Sequence, residues 1–530
     1  MVVLSFFIVY LCVGLWVFKD FGISWDEGRN RQNGAISTWY VKDNTYRLLG
    51  WQSQDRGENA LLKYGDKDYG VFVELPLYVL EKLLNLNDAR DVYFMRHLCT
   101  FILFWLSVIV FFFLVQYRYQ DWGVGLYGCL FLILSPRIFA HSFYNSKDLG
   151  FLAVFIMSMY TLMRFLGDKS YGTAFFHAMS SAALISTRIL GVLIPCVTIL
   201  CITLGLLRTG EPGEKKKKTL LYLLMYVVLM FAFTIIFWPY LWDNPIHNFI
   251  EAFKNMSKFR WSGNVLYFGR FIRASDLPWH YIPMWFVLTT PLIFVMWFCF
   301  GIVSIVRCVA RYGVAIVDNK EDLQDVVCLS LFLLPILSVM ALGSVLYDGW
   351  RHLFFIYPPF VMVSVRGFRS IIDATKGKRG KTRFKDIYIV SMFALISGFF
   401  FAAYHITQYH PYQNVYFNVL GGTSISKKFE LDYWGLSYRQ GFEYILENDT
   451  DKLINVSSAN FPGYLNMTIL KREDRERLRH VDLREAKYYL SNYRGFREYN
   501  KSRRKEYPYR YELWSLKVGG EKIMGVYKLR

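Results

Sequence analysis

Met1-Val-Val-Leu-Ser-Phe-Phe-Ile-Val-Tyr-Leu-Cys-Val-Gly-Leu-Trp-Val-Phe18 runs without a charge. Across Lys19 it is followed by Asp20-Phe-Gly-Ile-Ser-Trp-Asp-Glu-Gly-Arg-Asn-Arg31. An apolar run of this kind approaches the roughly 20 residues a helix needs to cross the hydrocarbon core. It has neither a basic n-region nor a small-residue cleavage site, so it reads as a retained anchor. The charged stretch behind it then opens a polar segment just beyond the membrane edge.

The same alternation repeats along the chain. Ten more apolar runs lie at 97–115, 122–136, 148–166, 172–187, 188–207, 219–238, 282–306, 327–346, 352–365 and 386–405, giving about eleven expected spans. The 530 residues are 54% hydrophobic and 19% charged, where a soluble domain has about 45–50% and about 25%. That composition excludes disordered, collagenous and disulfide-rich secreted chains. All eight cysteines fall in or beside apolar runs, so they read as packing residues rather than a disulfide framework or a zinc site. The net charge of +19 does not point to nucleic acid, because much of it sits in short loops between apolar runs. Arg208 with Lys215–Lys218, Arg307 with Arg311, and Lys376–Arg383 belong on the cytoplasmic side by the positive-inside rule. Alternating the spans brings all three loops there together and puts 20–96, 136–147, 239–281, 347–351 and 406–530 outside.

The expected fold is thus an all-α polytopic membrane domain over 1–405 with a small C-terminal α/β extracytoplasmic domain over 406–530. In the tail, Lys471–Tyr489 reads as a basic helix. Lys452–Ser458, Tyr511–Val518 and Lys522–Leu529 read as strands, the last two joined by a hairpin turn at Val518-Gly-Gly-Glu521.

Four groups of polar residues share the outer face. Asp26 and Glu27 follow the first span; a carboxylate partly desolvated there can serve as a general base, while Ser24 and Asp26 are also good helix caps. The second group, between spans, holds Arg137, His141, Tyr144, Asn145, Lys147 and Asp148, a density of donors that suits an anionic headgroup. Arg188 interrupts an apolar stretch, where ionisable side chains are costly and usually functional. Asp348, Arg351 and His352 crowd the turn Leu346-Tyr-Asp-Gly-Trp-Arg-His352, and a guanidinium is well shaped for phosphate. Trp279 and His280, in Leu277-Pro-Trp-His-Tyr281, belong to an aromatic set that serves either an interfacial belt or sugar stacking.

This arrangement resembles the GT-C-fold glycosyltransferases, in the branch of the protein O-mannosyltransferases and aminoarabinose transferases, including dolichyl-phosphate-mannose-protein mannosyltransferase-like members. The resemblance rests on Ser24-Trp-Asp-Glu-Gly28, the Pro136-Arg137 to Lys147-Asp148 loop and Leu277-Pro-Trp-His-Tyr-Ile-Pro283. It extends through Tyr347-Asp-Gly-Trp-Arg-His352, His410-Pro-Tyr-Gln-Asn-Val-Tyr-Phe-Asn418 and Phe429-Glu-Leu-Asp-Tyr-Trp-Gly435. It implies a catalytic acid at Asp26, with Glu27 adjacent, and donor-phosphate contacts from Arg137, Lys147, Arg188, Arg351 and His352. Tyr144, Asn145, Asp148, Trp279, His280 and Asp348 are the expected substrate-binding residues.

The function so implied is transfer of a sugar from a polyprenyl-phosphate donor to an acceptor hydroxyl of a lipid, glycan or protein, with inversion, on the extracytoplasmic side of a plasma (inner) or endoplasmic reticulum membrane. No cofactor is required by the pattern, although the oxygens of Asp26, Glu27 and Asp148 are of the kind a divalent cation takes. The alternative from another class is a transporter or flippase of a lipid-linked or anionic solute. Such proteins commonly show two related halves, and none is visible here.

Overall fold

A segment inside hydrocarbon has no water to satisfy open backbone groups, so it has to close its own hydrogen bonds as a helix. The computed structural model describes residues 1–49, 58–208, 213–257, 261–375, 382–495 and 506–529, and in it each apolar run is helical along most of its length. Helix α1 (Val2–Val17) leads to three helices of the first long polar segment, α2 (Glu27–Leu48), α3 (Glu58–Lys63) and α4 (Glu74–Leu83). Then follow α5 (Ala89–Tyr119), α6 (Trp122–Ile133), α7 (Pro136–Tyr144), α8 (Asp148–Gly167), α9 (Tyr171–Ile185), α10 (Leu193–Arg208) and α11 (Gly213–Phe237). Helix α12 (Pro245–Ser257) and a hairpin of β1 (Asn264–Tyr267) and β2 (Arg270–Arg273) precede α13 (Tyr281–Thr289), α14 (Leu292–Tyr312), α15 (Lys320–Leu342), α16 (Tyr357–Thr375) and α17 (Thr382–Gln408).

Among the described residues, seven of these segments are long and apolar enough to cross a membrane: α5, α8, α10 together with the 3-10 turn Ile189–Val192 that runs into it, α11, α14, α15 and α17. The pair α6–α7, bent by 73°, passes the same test only when its two helices are taken together. Its bend has a local cause, since Pro136 starts α7 and holds Ser135 in extended backbone. The chain is an integral membrane protein. The expected count of about eleven is not reached on length and apolarity. Helices α1 and α9 have 16 and 15 residues, and α16 carries Arg366, Arg369 and Asp373. Of the basic loop expected at Lys376–Arg383, residues 376–381 lie outside the described residues, and Thr382 and Arg383 begin α17.

Helix α5 has 31 residues, about 47 Å at 1.5 Å per residue, well beyond the roughly 30 Å of hydrocarbon. Its first turns therefore extend past the bilayer, where Arg96 and His97 are buried against Glu74 of α4 and Glu27 of α2.

The tail builds a five-stranded sheet of order β4-β3-β5-β7-β6, from β3 (Ile454–Ser458), β4 (Leu478–His480), β5 (Tyr488–Ser491), β6 (Glu512–Val518) and β7 (Glu521–Lys528). Strand β3 pairs parallel with β4 and β5, while β7 pairs antiparallel with β5 and β6. Helices α18 (Tyr438–Asn448) and α19 (Phe461–Met467) pack on it, around Tyr438, Phe442, Ile445, Ile454, Val456 and Leu490. Three strands and the hairpin stand where the sequence puts them. The basic helix over Lys471–Tyr489 does not: helix α20 covers only Arg472–Glu476, and the rest supplies β4 and β5. The stretch has good helix formers but no apolar stripe to bury, so pairing with the buried β3 prevails over propensity. Between the membrane helices and this sheet, Tyr412, Val415, Phe417, Phe429, Tyr433, Trp434 and Leu436 belong to the main core.

Candidate active site

The loop after α1 is held from the tail. Asn466 of α19 accepts from the Ile23 N–H at 2.9 Å and donates to the Ile23 and Gly435 carbonyls at 2.8 and 3.0 Å. The Trp25 N–H donates to the Trp434 carbonyl at 3.1 Å. Gly22 is needed for this approach, since a Cβ there would stand 2.4 Å from Asn466 Oδ1 and 2.5 Å from the Leu436 carbonyl. Asp26 then occupies the N-cap position of α2, yet its side chain makes no cap hydrogen bond. Glu27 takes that work instead: its carboxylate accepts from the Ser24 N–H at 2.6 Å and lies 2.9 Å from His97 Nε2. With 2% exposure, Glu27 is part of the scaffold, and the adjacent Asp26 carboxylate is left free to face elsewhere.

What it faces is Arg351. The guanidinium at the start of the 3-10 turn Arg351–Ile356 lies 3.3 Å from Asp26, 3.0 Å from Asp148 and 3.2 Å from Asp348. It sits 4.7 Å from the ring of Tyr347 and 4.8 Å from that of Trp434. Asp148, the first residue of α8, also pairs with Arg188. It accepts from Asn145 Nδ2 at 2.9 Å, and its N–H donates to Asn145 Oδ1 at 2.9 Å. Of the three carboxylates, Asp26 is the accessible one, with 27% side-chain exposure against 1% for Asp148 and 9% for Asp348. Asp348 is held at φ +56°, in the left-handed region that few side chains other than Asn and Asp adopt. Burial pushes its carboxyl up to about 7, against the pull of the Arg351, Arg137 and Arg494 charges.

Beside this cluster opens a cavity of about 220 Å³. Lys147, Arg188, Arg351 and His352 form its polar end, while Leu190, Phe253, Met256, Val339, Leu342 and Val345 form an apolar wall. Asp68, Tyr69 and Gly70 close a third side. Gly70 permits it: a Cβ there would stand 2.1 Å from the Ser186 carbonyl, to which the Phe72 N–H donates at 3.1 Å. The Lys147 ammonium lies 3.4 Å from the centre of the Tyr69 ring. Burial pushes its pKa down to about 8; the Arg188 charge adds to the fall, and Asp26 and Asp148 oppose it.

Asp26, Asn145, Lys147, Asp148, Arg188, Asp348, Arg351 and His352 therefore lie in one neighbourhood. Tyr144 backs it, buried against His141 and Trp434 with its carbonyl accepting from Ser24 Oγ at 3.2 Å. Three expected residues do not line the cavity. Arg137 donates to the Tyr416 carbonyl at 3.2 Å and lies 5.1 Å from the rings of both Trp285 and Phe417, away from the cavity lining. Trp279 is 71% exposed, and His280 pairs through Nδ1 with the Tyr267 hydroxyl at 2.7 Å. Sequence reasoning missed Tyr69, Tyr347, Trp434, Asn466 and Arg494, whose guanidinium lies 4.0 Å from the Trp25 ring and 3.6 Å from that of Tyr433. Tyr347 and Trp434 fall within stretches quoted for the resemblance, and the aromatic richness of the polar segments was the signal for the other aromatic one, Tyr69.

Among the described residues no group of three or more His, Cys, Asp or Glu is arranged to hold a metal ion. The donor set suggested by the sequence does not fit one: Glu27 is turned into the scaffold, and Asp148 is taken up by two guanidinium groups.

No family model and no curated protein sequence matches the chain. Solved structures do. The apo oligosaccharyltransferase of Archaeoglobus fulgidus superposes over 90% of this chain and 64% of its own, at 9% identity and a TM-score of 0.50. This chain thus spans just under two thirds of that protein's length. ArnT from Cupriavidus metallidurans, bound to undecaprenyl phosphate, superposes over 98% of both chains at 12% identity and a TM-score of 0.50. The fold is GT-C. In this GT-C chain Asp26, Asp148, Arg188 and Arg351 all start or cap helical segments, and Asn466 of α19 ties the sheet domain to the acidic loop beside them.

Proposed function

We propose that the chain is a glycosyltransferase that moves a sugar from a polyprenyl-phosphate carrier to an acceptor hydroxyl on the extracytoplasmic face of its membrane. The observation that carries this reading is the cavity whose apolar wall meets Lys147, Arg188, Arg351 and His352 beside the accessible carboxylate of Asp26. A long prenyl chain suits the wall, and a phosphate suits the basic end. That ArnT, of the same fold, is bound to undecaprenyl phosphate supports the same ligand class. The site lies at one end of the helices rather than midway along them, where a transporter pathway would place its contacts.

In the proposed reaction Asp26 accepts the proton of the acceptor hydroxyl as its oxygen attacks the anomeric carbon. The bond from that carbon to the carrier oxygen breaks, and its electron pair leaves on polyprenyl phosphate, whose charge is met by Lys147 and Arg188. One displacement inverts the anomeric centre. Asp148 is too enclosed to take a proton from an acceptor and instead aims Arg351 and Arg188. The test is incubation of the purified chain with a panel of polyprenyl-phosphate sugars. Release of the free carrier from at least one is the expected result; intact donors with every candidate acceptor would count against the reading.

The Lys147 ammonium gives a pH signature. Its charge is present below pH about 8 and lost above it, so the attraction to donor phosphate falls as pH rises through that value. The kcat/KM for the donor should decline above pH 8, a limb distinct from the Asp348 transition near 7. Lys147→Arg, which stays charged, should carry the decline to higher pH. An identical profile in the two proteins would remove Lys147 from the phosphate contact.

A further inference from the structure

Strands β3, β4 and β5 run parallel, and the chain passes from β3 to β4 on one flank before reaching β5 on the other. Such a reversal opens a crevice at the carboxyl ends of the strands, the usual place for a ligand in an open α/β sheet. Here that edge meets the acidic loop. Phe461, just past β3, lies 6.3 Å from the Trp25 ring. Arg494, just past β5, holds its guanidinium 4.0 Å from the same ring and 3.6 Å from that of Tyr433. The Asn460 amide donates to Asn492 Oδ1 at 2.8 Å and ties the two strand ends together. Among the described residues the guanidinium makes one hydrogen bond, to the Tyr433 carbonyl at 3.4 Å, and no ion pair. Its charge reaches Asp348 and Glu430 through space, but Asp348 pairs with Arg351 and Glu430 accepts from the Gly495 N–H at 3.1 Å. Arg494 is half-buried, and no nitrogen of it is both enclosed and unpaired. Stacking on rings uses the face of a guanidinium and leaves its donor edge, which fits a carboxylate or a phosphate.

Trp25, Tyr433 and Arg494 do not line the donor cavity. This cation therefore stands outside it, stacked on the residue that directly precedes Asp26. We infer that Arg494 anchors the acceptor, and that the acceptor carries an anionic group, carboxylate or phosphate, beside the hydroxyl that is glycosylated. The anion meets the open edge of the guanidinium, and the ring of Phe461, 55% exposed, gives the same molecule an apolar contact. Two cationic centres then divide the labour: Lys147 and Arg188 hold the leaving phosphate, and Arg494 holds the incoming acceptor. The inference rests on the transfer reaction proposed above.

The test titrates the purified full chain, without donor, with methyl glucoside, methyl glucuronide and methyl glucoside 6-phosphate, reading binding by saturation-transfer NMR. Both charged sugars should bind at least about tenfold more tightly than the neutral one, the tighter of the two naming the anion. Arg494→Gln, which keeps a planar side chain and breaks no ion pair, should erase that margin with the melting temperature unchanged. Lys147→Ala, at the donor end, should keep it, and this variant locates the site if Arg494→Gln fails to fold. Equal binding of charged and neutral sugars, binding of none, a parent-like margin in Arg494→Gln or its loss in Lys147→Ala would overturn the inference. So would equally tight binding of inorganic phosphate, which would make this a site for a free anion. With no donor present nothing turns over, so the outcome is separate from the carrier-release assay: a chain that releases carrier but shows no margin keeps the transfer reading and loses this one.

Discussion

Asp26→Asn should yield a folded, membrane-inserted protein that releases carrier about 10²–10⁴ times more slowly, the range a general base typically contributes. The amide keeps the shape of the side chain and loses only its ability to accept a proton as an anion. Folding should be little affected, because Arg351 retains Asp148 and Asp348 and Asp26 makes no cap hydrogen bond to α2. Melting temperature and turnover are to be measured on the same preparation. Near-normal turnover would refute the base assignment. Glu27→Gln is the informative neighbour: its effect should appear in stability, since Glu27 holds the Ser24 N–H and His97.

The second large effect is at Arg351. Removing one partner of a buried ion pair costs about 3–5 kcal/mol, because the other charge is left uncompensated. Here three carboxylates share a guanidinium that is 3% exposed. Arg351→Ala should therefore lower folded yield as well as activity, which a pure phosphate contact would not do. Arg351→Lys keeps the charge but has no planar fork to span three carboxylates. It should fold and still lose about 10²–10³ in rate, the loss typical of one displaced electrostatic group. Thermal unfolding of both variants beside the parent checks this. An Arg351→Ala protein as stable as the parent would mean that the carboxylates do not depend on it.

The legible parts of this molecule were those set by local chemistry. Apolar runs declare helices wherever they occur, and an acid directly after α1 can lie only at the membrane edge, so Asp26 stood out. Arg188 stood out because a charge within an apolar stretch is expensive, and Arg351 because it shares a tight turn with Asp348 and His352 and suits phosphate. The span count was less legible: α9 and α16 are helices, but one is short and the other carries three charges. Within Asp26-Glu27 the sequence could not say which carboxylate faces Arg351, since that depends on the Ser24 N–H and His97 claiming Glu27. Arg137 was placed with the donor-phosphate residues by its loop and the family resemblance, and its contacts with Trp285 and Phe417, far away in the chain, left no sign in the sequence. The Lys471–Tyr489 helix failed for a related reason, as its partner strand β3 lies some way upstream. Long-range contacts such as Asn466 to Ile23, separated by 443 residues, leave no local trace.

That last contact constrains any rebuilding of the protein. One asparagine amide joins the backbone ahead of Asp26 to the backbone ahead of α18, so the soluble module acts as a splint for the acidic loop rather than as cargo on a membrane anchor. A chimera that grafts a different sheet module at residue 437 would have to bring a side chain able to bridge Ile23 and Gly435, or accept a wandering carboxylate.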